Sequence, residues 1–241
     1  MTDDHQALLE SLERNSRVRQ EMFLDAIAVR LNRPRAAKPP DHPFRGAPDF
    51  WQSQKWPPEE RIRRFIHQFQ LSGGMAERLD TMESARDLIA SRASAMGLRH
   101  IVCQDQQELA ELGLKDAIPE ARISVWNSRK EEDWIAIAAE ADGGVVLADY
   151  AAAVTGTAVV MSDRGKGRSV SLLPGVLFII IPATRMKTRL GEIFAEIERM
   201  GPGGLPAGIH FISGPSRSAD IENDLTIGVH GPGMVHALII G

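Results

Sequence analysis

The chain has 241 residues, is 43% hydrophobic and 25% charged, and carries a formal net charge of −4. That length holds one α/β domain with a full core or two small ones, and the acidic balance excludes the basic face of a nucleic-acid binder. The longest apolar stretch, around Val176–Ile181, is far short of the roughly 18 residues of a membrane span, and MTDDHQALLE lacks a signal-peptide pattern, which together predict a cytoplasmic protein without a membrane span.

In chain order, residues 5–31 space Leu8, Leu12, Met22, Phe23, Ala26, Ile27 and Leu31 as an amphipathic helix. Arg33–Pro58 then holds seven of the fourteen prolines, which fix φ and remove backbone donors, so an extended arm is expected. The predicted boundary lies there: 1–58 as helix and proline-rich arm, 59–241 as the main α/β domain. The helix either packs on its own domain or, with the arm, embraces another subunit as a homo-oligomer.

From Glu59 the pattern alternates. Helices are expected over Glu59–Leu71, Met82–Met96 (closed by Gly97), Gln106–Leu112 and Lys130–Ala139, with strands at Ala76–Leu79, His100–Cys103, Ile123–Trp126 and Gly144–Leu147. This order predicts a mostly parallel sheet flanked by helices. Further on, Thr157–Met161, Val176–Ile181, Ile209–Ile212 and Met234–Ile240 read as strands, some joined by hairpins, and Thr184–Met200 as a helix with Arg185, Lys187 and Arg189 in its first turns.

The lone cysteine, Cys103, sits in an apolar run and reads as a buried structural thiol. One thiol cannot hold an iron–sulfur cluster, which takes about four.

Four segments carry candidate chemistry. In ADYAAAVTGT, the turn Thr155, Gly156, Thr157 presents N–H groups and hydroxyls suited to a carboxylate or phosphate, or is a plain turn. In DRGKGRSVSLLPG, Lys166 is expected at an exposed hairpin tip, and Arg168 with Ser171 is the better ligand candidate. It is neither a dinucleotide fingerprint nor a Walker loop. In SGPSRSADIE, Ser213 or Ser216 is expected to cap a short helix whose positive end lies beside Arg217, while Asp220 or Glu222 positions that arginine or moves a proton. Local chemistry alone fits a ligand site or a capped salt bridge equally. In GVHGPGMVH, His230 lies between glycine turns as an accessible titrating ring, whereas His236 reads as a satisfied core histidine.

Taken in order, ADYAAAVTGT, GRSVSLLPG, HFISGPSRSADIE and GVHGPGMVHALII resemble the lactate utilisation protein C (LutC/YkgG) family of LUD, formerly DUF162, domains. The resemblance implies a fold similar to ribose-5-phosphate isomerase A, glucosamine-6-phosphate deaminase (NagB) and CoA-transferases. It implies a subunit of a system oxidising L-lactate to pyruvate, with LutA- and LutB-like iron–sulfur partner subunits and no cofactor in this chain. Arg217 would then grip a small carboxylate, with Ser216, Thr155, Gly156, Thr157, Arg168 and Ser171 around it and His230 and Asp220 as catalytic candidates. Family members often carry glutamate where Val154 stands, which leaves open a non-catalytic assembly or regulatory subunit on the same scaffold.

Overall fold

The computed structural model of the protein describes residues 3–35, 53–221 and 224–241, without the side chains of 3, 4, 219–221, 224 and 225. The chain divides into two compact units, Met1–Ser53 and Gln54–Gly241. In the first, α1 (Asp3–Arg30) is one continuous helix along which Leu8, Leu12, Met22 and Phe23 are exposed. Most of the proline-rich stretch expected to form the arm lies outside the described residues.

The second unit opens with α2 (Pro58–Leu71), then β1 (Met75–Leu79), α3 (Met82–Met96) and β2 (His100–Cys103). Helix α4 (Gln107–Ala110) stands where the short helix was expected, and a second single turn, α5 (Leu114–Ala117), follows it. They lead to β3 (Arg122–Val125), α6 (Trp134–Glu140) and β4 (Gly143–Leu147). Helix α6 starts four residues later than its pattern predicts, because Asp133 Oδ1 caps it by accepting from the Ile135 and Ala136 amides. The chain continues through β5 (Tyr150–Ala152), β6 (Thr157–Met161), α7 (Ser169–Leu172), β7 (Val176–Pro182), β8 (Met186–Lys187), α8 (Leu190–Arg199) and α9 (Gly201–Gly204). It closes with β9 (Ile209–Ile212), β10 (Arg217–Ile221), β11 (Asp224–Ile227) and β12 (Met234–Ile240).

Six strands form the parallel sheet that the alternation predicts, in the order β1-β12-β7-β4-β2-β3. Strands covered on both faces read as unbroken apolar runs. VLFII in β7 and VVL in β4 are such runs, and all these residues are buried. One face packs Val146, Leu177, Ile179 and Ala237 against Ile62, Phe65 and Phe69 of α2. The other packs Val145, Phe178, Ile180 and Leu238 against Ala85, Ile89 and Ala93 of α3. The Phe65 and Phe69 rings stack 5.5 Å apart, and burying each contributes about 1.5–3 kcal/mol.

A second sheet, β8-β5-β6-β9, lays Ala151, Ala158 and Val160 onto the α2 side of this core and Ala152 and Val159 against Ile193 of α8. It accounts for one misread element. Instead of one helix over Thr184–Met200, the chain makes a 3₁₀ turn at Ala183–Arg185, adds β8 beside β5, and only then forms α8. Burial of Met186 and Thr188 drives the change. The basic cluster is taken up structurally: Arg185 donates to the Ala148 carbonyl, Lys187 faces Glu196, and Arg189 donates to the Gln54 carbonyl.

Cys103 is buried, and burial pushes its thiol up to about 12, as befits a structural residue. His236 is a core residue as expected, stacked 4.9 Å from Phe178, but among the described residues neither ring nitrogen has a hydrogen-bond partner. Burial, and secondarily the nearby Arg92 charge, lowers its pKa to about 4. The unfolded chain therefore takes up a proton near pH 6.5 that the folded chain refuses until about pH 4. This part of the stability is present above pH 6.5 and is lost as pH falls through that window, on the order of 3 kcal/mol in all. Urea unfolding of wild type between pH 7.5 and 4.5 should show that decline, and His236→Leu should flatten its slope.

Candidate functional site

The site is assembled at the amino-terminal edge of the main sheet, where β1, β7 and β12 begin. The Gly233 amide donates to the Gly175 carbonyl (2.9 Å), so the loops leading into β12 and β7 are joined there. The last turn of α2 lies at the same edge, just before β1.

The Thr-Gly-Thr turn connects β5 to β6. Its Gly156 has φ +59°, and a Cβ there would lie 2.5 Å from the Phe69 amide nitrogen, so only glycine lets the turn sit on the end of α2. Thr157 is buried; its hydroxyl donates to Thr155 Oγ1 (2.7 Å) and accepts from Ser213 Oγ (2.8 Å). With one hydrogen per hydroxyl, the relay runs from Ser213 to Thr157 to Thr155. It ends on the exposed Thr155, whose own hydrogen points onward.

The segment SGPSRSADIE differs from its expected form. No helix starts at Ser213 or Ser216; Arg217–Ile221 is strand β10, paired antiparallel with β11. Gly214, at φ +117°, abuts the Ser72 carbonyl, which directs the chain into a hairpin rather than a helical turn. Arg217 is exposed at the base of this hairpin, opposite Ile227. The side chains of Asp220 and Glu222 lie outside the described residues.

Ser216 links this segment to the GVHGPG loop, donating its amide to the Pro232 carbonyl and accepting from the Gly228 amide, both at 2.9 Å. A Cβ on Gly231 would lie 3.3 Å from Ser216 Cβ and 3.8 Å from the Leu172 carbonyl of α7. Thus three motifs meet at Gly231. His230 is exposed on this loop.

In the remaining motif, a one-turn helix, α7, follows the glycines and precedes strand β7. Asp163 Oδ1 accepts the Gly165 and Lys166 amides and shapes the bend. Lys166 is not an exposed tip: its ammonium is largely buried and lies 2.8 Å from Asp149 and 3.4 Å from Asp163. Arg168 is exposed and makes no ion pair among the described residues. Ser171 is buried, and its Oγ donates to the Arg168 carbonyl and lies 3.1 Å from His210 Nδ1.

His210 was not singled out in the sequence. It lies on β9 opposite Val160, within a short apolar run, and its serine partner is distant in the chain. Burial, with Arg168 adding to it, holds this imidazole below its ordinary value.

The edge and the α7 turn beside it therefore present two exposed guanidinium groups (Arg217 and Arg168), exposed and half-buried hydroxyls (Thr155, Ser213, Ser216) and the half-buried His210 imidazole, a set suited to a small anion. The opposite, carboxyl-terminal edge holds a cavity of about 450 Å³ whose charged lining is Glu83, Glu108 and Glu111, the wrong sign for an anion. Among the described residues no group of three or more His, Cys, Asp or Glu is placed to hold a metal ion.

The LUD domain profile matches residues 62–240. Lactate utilization protein C of Halalkalibacterium halodurans is 34% identical, covering 89% of this chain and 94% of its own. Lactate utilization protein C of Shouchella clausii is 33% identical, over 88% and 93%. The crystal structure of a DUF162 family protein from Deinococcus radiodurans superposes with a TM-score of 0.54 at 16% identity, covering 77% of this chain and 99% of that one, a likeness of fold.

The seating of the Thr-Gly-Thr turn on α2 is testable. Gly156→Ala should cost more than ~2 kcal/mol, since the left-handed φ alone costs a residue with a Cβ roughly 1–2 kcal/mol and the backbone contact adds to it. Gly201→Ala, also at positive φ but with nothing within 4 Å, should lose only about the first part. Thermal unfolding of both variants compares the two costs.

Proposed function

The chain belongs to the LUD domain family, in its lactate utilisation protein C branch, and from that premise we propose that it serves lactate utilisation as a subunit binding a small carboxylate at the amino-terminal edge of its main sheet. The observation that carries the reading is the meeting of four separated segments at that edge: Thr157 with Ser213, Gly214 with Ser72, Ser216 with Gly228, and Gly231 with Leu172. Contacts this close between loops far apart in sequence hold a constellation fixed, as recognition of a small ligand requires.

In this reading Arg217 and Arg168 attract and grip the carboxylate, and Thr155 and Ser216 supply neutral donors. His230, exposed between glycines, is the nearest counterpart of the proton acceptor expected from the sequence. Oxidation of lactate to pyruvate releases two electrons and two protons. One buried cysteine cannot hold an iron–sulfur cluster, so the electrons leave for the clusters of LutA- and LutB-like partner subunits.

A second reading, an assembly or regulatory subunit, is favoured by two observations. Val154, half-buried in the turn, offers no carboxylate, and α1 exposes Leu8, Leu12, Met22 and Phe23 along one helix.

Two measurements separate the readings. Calorimetry of the purified chain should show saturable binding of lactate and pyruvate, weakened about tenfold or more by Arg217→Ala, the loss of a charge-assisted pair. No binding of either acid would sink the carboxylate site. Removal of residues 1–53 should abolish co-purification with the iron–sulfur subunits if α1 is the docking element, and leave carboxylate binding unchanged.

A further inference from the structure

The LUD profile begins at residue 62, and Met1–Ser53 forms a compact unit of its own. Its helix α1 exposes Leu8, Leu12, Val18 and Met22, each by more than half. Exposed apolar residues in a row along one helix mark a surface that another surface covers. At 3.6 residues per turn these four side chains and Asn15 share an arc of about 120°. Their spacing, 8–12–15–18–22, is the same read from either end. A second copy of α1 laid antiparallel about Asn15 therefore sets Leu8 against Met22 and Leu12 against Val18, and each match occurs in both halves. Asn15 meets Asn15 at the midpoint, where each amide both donates and accepts. Arg19, also on the arc, falls opposite Ser11, whose small side chain leaves room for its stem. Leu9, Leu24 and Ile27 lie outside the arc, and the same dyad matches them with Glu21, Gln6 and Asp3. Only the first arc is self-complementary.

Charge selects the same arrangement. Residues 3–13 carry four acids and no lysine or arginine, whereas residues 14–30 carry four arginines and two acids. Both of those acids, Glu21 and Asp25, pair with Arg35. An antiparallel partner lays each acidic half beside a basic one and opposes the two helix dipoles. A parallel partner would set like charge on like. We propose that the apolar arc of α1 is a self-association surface, on which a second copy of this chain docks antiparallel about Asn15. The inference is independent of the carboxylate site, and it gives this arc to a second copy rather than to an iron–sulfur subunit.

Light scattering of the full-length chain at micromolar concentration should give the mass of a dimer. Leu12→Asp, which puts two charges into the seam, should give a monomer that remains folded by circular dichroism. A monomeric wild type would leave α1 to another partner and overturn the proposal. Introduced cysteines test the geometry, since the one native cysteine, Cys103, is buried. Under mild oxidation Asn15→Cys should link to itself, while Leu8→Cys, and Arg17→Cys on the far face, should not. Leu8→Cys combined with Met22→Cys should link again. Self-linking of Leu8→Cys as efficient as that of Asn15→Cys would mean parallel pairing and would overturn the arrangement. Calorimetry with lactate on Leu12→Asp keeps the two readings apart: the carboxylate site stands or falls there whatever the oligomeric state.

Discussion

The last turn of α2 is the abutment on which the site is built. Phe65 and Phe69 anchor it in the core, and their burial fixes where its terminal backbone lies. Against that backbone press Gly156 of the Thr-Gly-Thr turn, at the Gln68–Phe69 peptide, and Gly214 of the SGPSR turn, at the Ser72 carbonyl. Two loops from distant parts of the chain thus take their positions from one rigid surface. The hydroxyl contact between Thr157 and Ser213 follows from this shared footing. Core packing and site geometry are in this respect one constraint, since a shift of the α2 end would displace both loops.

The choice of edge has an electrostatic consequence. Open parallel sheets usually bind ligands outside the carboxyl ends of their strands, where helix N-termini gather. Here the carboxyl edge is rimmed by Glu83, Glu108 and Glu111, which offset that helix contribution. The amino edge instead relies on side chains: Arg217 is exposed there and Arg168 is exposed one helical turn before Leu172, whereas Lys166 pairs with Asp149 and Asp163 beyond the carboxyl end of β4. The positive charge that remains unpaired at this edge is therefore guanidinium, which matches a planar carboxylate through two parallel hydrogen bonds.

What the sequence reveals follows the range of the interactions. Strands β4, β7 and β12 are legible because burial on both faces demands unbroken apolar runs, and Gly97 and Ser72 mark helix ends by local chemistry. The parallel order itself follows from strands alternating with helices. The hairpin β10–β11 is not legible. Its residues, SRSADI, resemble a capped helix start, and only pairing with a strand across a turn makes them extended. Helix α8 is overextended in a sequence reading because nothing local announces that Met186 and Lys187 will join β5. Thr155, Thr157, Ser216 and Arg217 are recognisable as polar residues in glycine turns, but which hydroxyl is used internally and which faces out depends on contacts 56 residues apart.

His210 illustrates the same limit within the site. In GIHFI it occupies one position of a short strand, and alternation alone leaves it as a tolerated polar residue. Its partner, Ser171, lies 39 residues earlier, in the one-turn helix α7. By contrast His236, more deeply buried and with neither nitrogen hydrogen-bonded among the described residues, lies inside the sheet against Phe178. The two histidines have lowered proton affinities for the same primary reason, burial. What distinguishes them is the partner: His210 Nδ1 meets Ser171 Oγ, whereas His236 meets no hydrogen-bonding group among the described residues.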